Sequence, residues 1–453
     1  MTASTWIRTA LAVATAVSVT GSAQPSAQSG ATIKFIETKL ANGLRVILSE
    51  DHTAPVYSIV VHYNVGSRDE RPGRTGFAHL FEHMMFKGSE NVGPGEHFVL
   101  IFNNGGTMNG TTNKDRTLYF ETLPANQLDL GLFLEADRMR SLEITKANLE
   151  NQRHAVQEER RLRLDNQAYG RSLELIDELA YDNPAYKHSV IGSMADLNAA
   201  SVEDVASFFR TYYAPNNAVL AIVGDIDLKA TLEKVRKAFG SIPAQPAPPA
   251  VDMTEPVQTA ERRQRVDDPL ARLARVDMAF KVPPRTSDED DAVRVLATIL
   301  ASGRSSRLFQ KVVREQQLAP LVFANRDGAI GPGLFRMGGT VAPGKTPEAL
   351  EAALLAEIER VKAGPINAWE LEKAQNNAKQ QMVAGLTSSL QRGTQLAEFA
   401  AVFNDTGRVN QRADRIMKVT AADVQHVASK YLVATNRTVV VTVPKPAAKG
   451  GAQ

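Results

Sequence analysis

Apolar and polar positions alternate over short stretches of this chain and recur with helical spacing over others, and the two patterns interleave from end to end. Ile33 to Leu40 and Leu44 to Glu50 flank the pair Asn42-Gly43, which predicts a hairpin with a tight turn. Tyr57 to Val65, rich in β-branched and aromatic residues, predicts a third strand. Gly and Pro punctuation follows, then a helix from about Gly73 to Phe86. Strand signals return at Thr107 to Thr112 and Arg116 to Glu121, helical ones at Ala125 to Arg140 and Lys146 to Leu164, and Asn216 to Val223 is a short apolar strand. Strands mixed with helices throughout predict an α+β (α/β) fold.

The run from Pro243 to Pro256 is Pro/Ala-rich and reads as the linker between a first domain, 32–242, and a second, 257–446. The two parts echo one another. Asp204-Val205, Tyr212 and Asn217 recur at one constant offset as Asp423-Val424, Tyr431 and Asn436, each time with a helix leading through the Tyr into an Asn and an apolar strand. That repetition predicts a duplicated domain.

The length, 453 residues, suits two or three domains. With 52 basic and 50 acidic side chains the net charge is +2, which gives no reason to expect a nucleic-acid partner. No cysteine is present, so disulfides, thiolate catalysis and cysteine-ligated metal are excluded, and any metal must be held by His, Asp or Glu. Arg8, the small apolar residues from Ala10 to Val19, and Gly21-Ser22-Ala23 read as a signal peptide over 1–23, cleaved after Ala23. Residues 24–31 follow as a Ser/Gln/Gly-rich lead-in. The apolar run is too short to span a bilayer, and no later run is long enough, so a periplasmic or secreted protein is expected.

His79-Leu80-Phe81-Glu82-His83 is H-x-x-E-H on the first predicted helix. Four residues is about one helical turn, so both imidazoles project from one face and can reach a single ion. Glu82 lies near that face and is placed to act as general base on a water at the metal. This order reverses the commoner H-E-x-x-H and is the inverzincin pattern, with zinc as the expected ion. The same residues without a metal would be ordinary histidines, but only eight histidines occur in the chain and the spacing carries a mechanism. A catalytic zinc takes a third protein ligand. His154, Glu158 and Glu159 in the run NQRHAVQEERR are candidates, and periodicity does not choose among them.

These residues resemble the pitrilysin or insulin-degrading enzyme family, which includes mitochondrial processing peptidase. The resemblance is carried by FAHLFEHMMFKGSENV, GGTMNGTTNKDRTLYF, NQRHAVQEERR, HSVIGSMADLNAASVEDVASFFRTYYAPNNAVLAIVGD and LASGRSSRLFQKVVRE, spanning nearly the whole chain after residue 31. It implies two similar domains, each a mixed, largely antiparallel sheet with helices on one face, the second binding no metal. It implies Glu159 as the third zinc ligand. Gln152 stands where relatives often carry a second glutamate that supports the ligands. Asn109 and Gly110 fall on a glycine-rich strand edge that, in relatives, pairs with the substrate backbone. Relatives also use an Arg/Tyr pair in the second half. Arg314 is present here, but the tyrosine position falls on Pro320 or Leu321, neither with a side-chain donor. The resemblance therefore implies a zinc-dependent endopeptidase acting on peptides or unfolded polypeptides, completed by a homologous non-zinc subunit in a heterodimer, a homodimer being the alternative. The competing readings are a non-catalytic binding or assembly subunit and a metal-dependent small-amide hydrolase.

Overall fold

The computed structural model describes residues 32–445, and the signal sequence read over 1–23 lies outside them. The first half runs β1 (Ile36–Lys39), β2 (Arg45–Glu50), β3 (Val56–Tyr63), α1 (Phe77–Met84), α2 (Glu96–Asn103), β4 (Thr107–Thr112), β5 (Thr117–Pro124), α3 (Leu128–Arg140), α4 (Lys146–Arg160), α5 (Gly170–Ala180), α6 (Met194–Asn198), α7 (Val202–Tyr212), β6 (Ala218–Gly224) and α8 (Leu228–Phe239). The second runs β7 (Arg262–Asp268), β8 (Arg275–Val282), α9 (Asp290–Ala301), β9 (Leu321–Asp327), β10 (Gly333–Thr340), α10 (Pro347–Ala363), α11 (Ala368–Ala384), α12 (Ser389–Phe403), α13 (Arg412–Met417), α14 (Ala421–Tyr431) and β11 (Arg437–Pro444). The expected hairpin forms, with β1 antiparallel to β2 and Gly43 in the left-handed region at the turn.

The first sheet has the order β1-β2-β6-β3-β5-β4 and the second β7-β11-β8-β10-β9. In each, one parallel pair (β2 with β6, β7 with β11) joins a run of antiparallel ones. The repeated residues build the same joint twice. Asp204 and Asp423 close capping boxes with Ser201 and Thr420 at the starts of α7 and α14. Asn217 Nδ2 donates to Tyr212 O at 2.8 Å, and Asn436 Nδ2 donates to Tyr431 O at 2.7 Å, tying each helix end to the strand that follows.

Both sheets are covered on two sides. Alternate residues of the first sheet, Tyr57, Ile59 and Val61 on β3 and Leu220 and Ile222 on β6, pack with helices of their own half. The opposite face, Ile47, Val60, Val219, Ala221 and Val223, packs against Leu396, Ala397 and Ala400 of α12. Reciprocally, Leu175, Ile176 and Ala180 of α5 cover Ala279, Leu334 and Val440 of the second sheet. Each half thus keeps its own helices on one face and lends a single helix to the other half. The Pro/Ala-rich run 243–256 forms no helix or strand but is pinned. Asn183 Nδ2 donates to Asp252 O and Thr254 O, and Glu255 accepts from Asn183 N and Lys281 Nζ, each at 2.8 Å.

His62, on the β3 face under α12, is fully buried, and among the described residues neither ring nitrogen has a hydrogen-bond partner. Burial first, then the charge of Arg116, lowers its pKa to about 3, with Glu398 opposing and Arg285 reinforcing. Unfolded, the imidazole takes up a proton below about pH 6.5. Stability from this group is therefore complete above that pH and is lost as pH falls toward 3, at up to about 1.4 kcal/mol per unit. His62→Leu is expected to remove that slope: between pH 6.5 and 4.5 the variant should lose about 2 kcal/mol less stability than the parent in urea unfolding. Equal losses in the two proteins would refute this account.

Candidate metal centre

Helix α1 has no side-chain N-cap, because Gly76 precedes it in the left-handed region (φ 87°). A Cβ there would lie 2.5 Å from Ile191 O, so only glycine fits. The exposed N–H groups are taken instead by Glu70, whose buried carboxylate accepts from Gly76 N at 2.8 Å and Ala78 N at 2.7 Å. Phe77, Ala78, Leu80, Phe81 and Met84 face the core, which turns His79 and His83 together toward α4. That helix starts on a Thr145 cap and passes into one π-helical turn at Arg161–Asp165, directly after Glu159 and Arg160.

Glu159 Oε2 lies 3.6 Å from His79 Nε2 and 3.3 Å from His83 Nε2. Three donors at 2.0–2.1 Å from one ion in tetrahedral geometry sit about 3.3–3.4 Å apart, so this spacing fits. The protonation states fit as well. Burial lowers the His79 imidazole to about 4, which keeps it neutral. A hydrogen bond with His83, with the charge of Arg163 adding to it, holds the Glu159 carboxyl below its ordinary value. Its other oxygen pairs with Arg163 at 2.7 Å. A neutral His79 and a carboxylate favoured in its ionised form suit ligands of a divalent ion.

Glu82 is buried, and its Oε2 accepts from Thr112 Oγ1 at 2.5 Å. Burial raises its carboxyl above the ordinary value, and the Thr112 bond works against that rise. Gly110 lies beneath it: a Cβ on Gly110 would sit 2.9 Å from Glu82 Cγ. The glycine therefore makes room for the carboxylate as well as leaving the strand backbone open. Asn109, beside it, is exposed and accepts from Gly110 N at 2.9 Å. β4 is the last strand of the first sheet, paired with β5 alone, so its outer edge is open. A pocket of about 350 Å³ adjoins the cluster, lined by His79, Thr112, Lys114, Glu159, Leu173 and Ile191 among others.

The other candidates fall elsewhere. His154 and Glu158 are exposed on α4, and Glu158 pairs with Arg161. Gln152 is buried two turns before Glu159, but its amide donates to Asn151 and forms no hydrogen bond with either imidazole. His79 Nδ1 is buried and has no hydrogen-bond partner among the described residues. Arg314 is exposed at the end of the π-helical segment Phe309–Glu315, and Pro320 and Leu321 lie exposed at the start of the edge strand β9. A second His/Glu cluster, His97, Glu121 and Glu135, is wholly buried, but Arg138 donates to Glu135 at 2.9 Å, so a cation already occupies that place. Sequence reasoning passed over Glu70, Thr112 and the closeness of Gly110 to Glu82. No local pattern in the sequence marks them, since each acts through a contact that only the fold creates.

Two family models match this chain: Insulinase (Peptidase family M16) over residues 45–193, and Peptidase M16 inactive domain over residues 199–378. His79, Glu82, His83 and Glu159 all fall within the first. The chain is 31% identical over 418 residues to the zinc protease PqqE of Helicobacter pylori, covering 91% of this chain and 93% of that one. It is 23% identical to a probable mitochondrial-processing peptidase subunit beta of Arabidopsis thaliana, covering 87% and 76%. The crystal structure of a protease from Helicobacter pylori shares the fold with a TM-score of 0.87 at 30% identity, covering 91% of this chain and 100% of that one. The Escherichia coli periplasmic protease PqqL has the same fold at 18% identity and a TM-score of 0.75, over 94% of this chain and 50% of that one.

Proposed function

The chain belongs to the insulinase family of peptidases, and from that premise we propose that it is a zinc-dependent endopeptidase of peptides or unfolded polypeptides. The observation that carries the reading is the convergence of His79, His83 and Glu159 within bonding reach of one ion, with buried Glu82 beside them. Zinc held by these three would supply Lewis acidity, lowering the pKa of a water to about 7 and polarising a peptide carbonyl. Glu82, oriented by Thr112, takes the proton of the attacking water and passes it to the departing amine. The open edge of β4 at Asn109 and Gly110 receives the substrate backbone as an added strand, which favours extended peptides over small amides.

The second half offers Arg314 but no side-chain donor at Pro320 or Leu321. A homologous subunit without zinc would complete the site by contributing an Arg/Tyr pair. A missing oxyanion donor typically costs about 10²–10³ in rate. Export to the periplasm or medium rests on residues 8–23 of the sequence. Among the described residues no helix is long and apolar enough to cross a membrane.

The test compares hydrolysis of an unfolded polypeptide with that of a small amide, before and after chelation and zinc return. The polypeptide should be cleaved, chelation should stop it, and zinc should restore it. Cleavage of small amides alone would favour the other hydrolase reading. Metal binding without any turnover, whatever homologous chain is added, would favour a binding subunit. Full activity of the purified monomer would remove the case for a partner.

A further inference from the structure

A cavity of about 40 Å³ lies where α9, α12 and α13 meet, and five arginines line it: Arg285, Arg294, Arg408, Arg412 and Arg415. Asp290 and Asp291 line it too, and each forms an ion pair, although Asp290 Oδ1 accepts no hydrogen bond among the described residues. Asp290 pairs with Arg326, and Asp291 pairs with Arg415 at 2.9 Å. Arg285 is matched by Glu398 at 2.5 Å. Three guanidinium groups are left over. Arg294 comes no closer than 4.0 Å to Asp290, and its Nε is buried without a hydrogen-bond partner. Arg412 lies 5.9 Å over the Phe399 ring and, among the described residues, donates only to the neutral Gln395 Oε1, at 3.3 Å. Arg408 lies 4.5 Å over the Phe403 ring, and among the described residues neither it nor Arg412 forms an ion pair.

Like charges gathered around a small cavity repel one another, and removing them from water adds to the cost. Burial, then the charges of Arg294 and Arg285, push the Arg412 guanidinium down to about 10, with Glu398 and Asp291 opposing. One water needs roughly 10–15 Å³ of such space, so this cavity has room for an ion of a few heavy atoms. Guanidinium forks match tetrahedral oxyanions in shape as well as charge. We propose that this cavity is a binding site for a small tetrahedral oxyanion, a phosphate group in particular. Bound there, it would tie α12, the helix lent to the first sheet, to α9 and α13. This inference stands apart from the metal centre and does not depend on peptidase activity.

The test uses the full chain, with phosphate titrated against chloride at matched ionic strength and read by calorimetry and thermal unfolding. Heat of binding and a saturable rise in Tm of roughly 2–4 °C are expected. Arg412→Gln is the decisive variant. It relieves repulsion in the unfilled cavity, so its Tm without phosphate should equal or exceed the parent's, while its phosphate affinity falls at least about 10-fold. Should that variant not fold, Arg408→Gln takes its place with the same expectations. Phosphoserine in place of phosphate separates a free ion from a phosphate group on a larger molecule: binding of phosphate alone or of both supports the site. A rise in Tm that does not saturate and is equal in parent and variant is a general salt effect. That result, or a variant destabilised equally with and without phosphate, would overturn the proposal.

Discussion

Glu82→Gln is expected to lower kcat on a peptide substrate by about 10³-fold while leaving zinc content at about one per chain. The magnitude is that of losing a positioned general base, about 10²–10⁴. The specificity of the effect comes from the surroundings. Glu82 is held by Thr112 Oγ1 on one side and rests against the bare backbone of Gly110 on the other, so the near-isosteric amide has the same space to fill. Glu82 is next to His83 in the chain, but among the described residues the group that gathers around one centre there is His79, His83 and Glu159. Thr112→Val should give a smaller version of the same phenotype. A kcat drop of about 10-fold with KM unchanged, restored by Thr112→Ser, would separate orientation of the base from its presence. Wild-type turnover in Glu82→Gln would end the assignment, and loss of zinc in that variant would move Glu82 from base to ligand.

What the sequence disclosed and what it withheld divide along the reach of each interaction. His79, Glu82 and His83 share one helical turn, so their geometry is fixed by local rise and twist and was legible from spacing. The repeated Asp, Tyr and Asn were legible for the same reason: a capping box and an Asn bridging back five residues are local devices used twice. Glu70 was not legible. It sits among the charges of Ser67 to Arg74 like a solvated acid, and only the folded chain shows it capping α1. Gly110 read as a strand-edge glycine, and its second duty toward Glu82 comes from the crossing of α1 over β4. The exchange of α5 and α12 was equally hidden. An apolar helix face announces burial but not which sheet it will be buried against, and here each answer lies in the other half.

The same division sets up the second large effect. Zinc affinity in Glu159→Gln should fall by at least about 100-fold, more than supporting residues around a metal usually cost, and peptidase activity at limiting zinc should fall with it. The run on α4 presents three plausible ligands, and helical geometry alone leaves them open because α4 is polar on several sides. In the fold, rotation about the helix axis separates the three. At about 100° per residue, Glu158 points about 100° away from Glu159 and His154 about 140° away. Both are exposed, whereas Glu159 faces α1. Glu159 also brings the only carboxylate charge to the cluster, held ionised chiefly by its hydrogen bond with His83. The substituted amide would keep the shape and lose that charge, so the effect should lie in affinity and not in folding. Glu158→Gln and His154→Gln, measured in the same chelator competition, should bind zinc as the parent does. If Glu159→Gln bound as tightly as they do, the third ligand would have to come from another residue, and the convergence on which the peptidase reading rests would no longer be a metal centre.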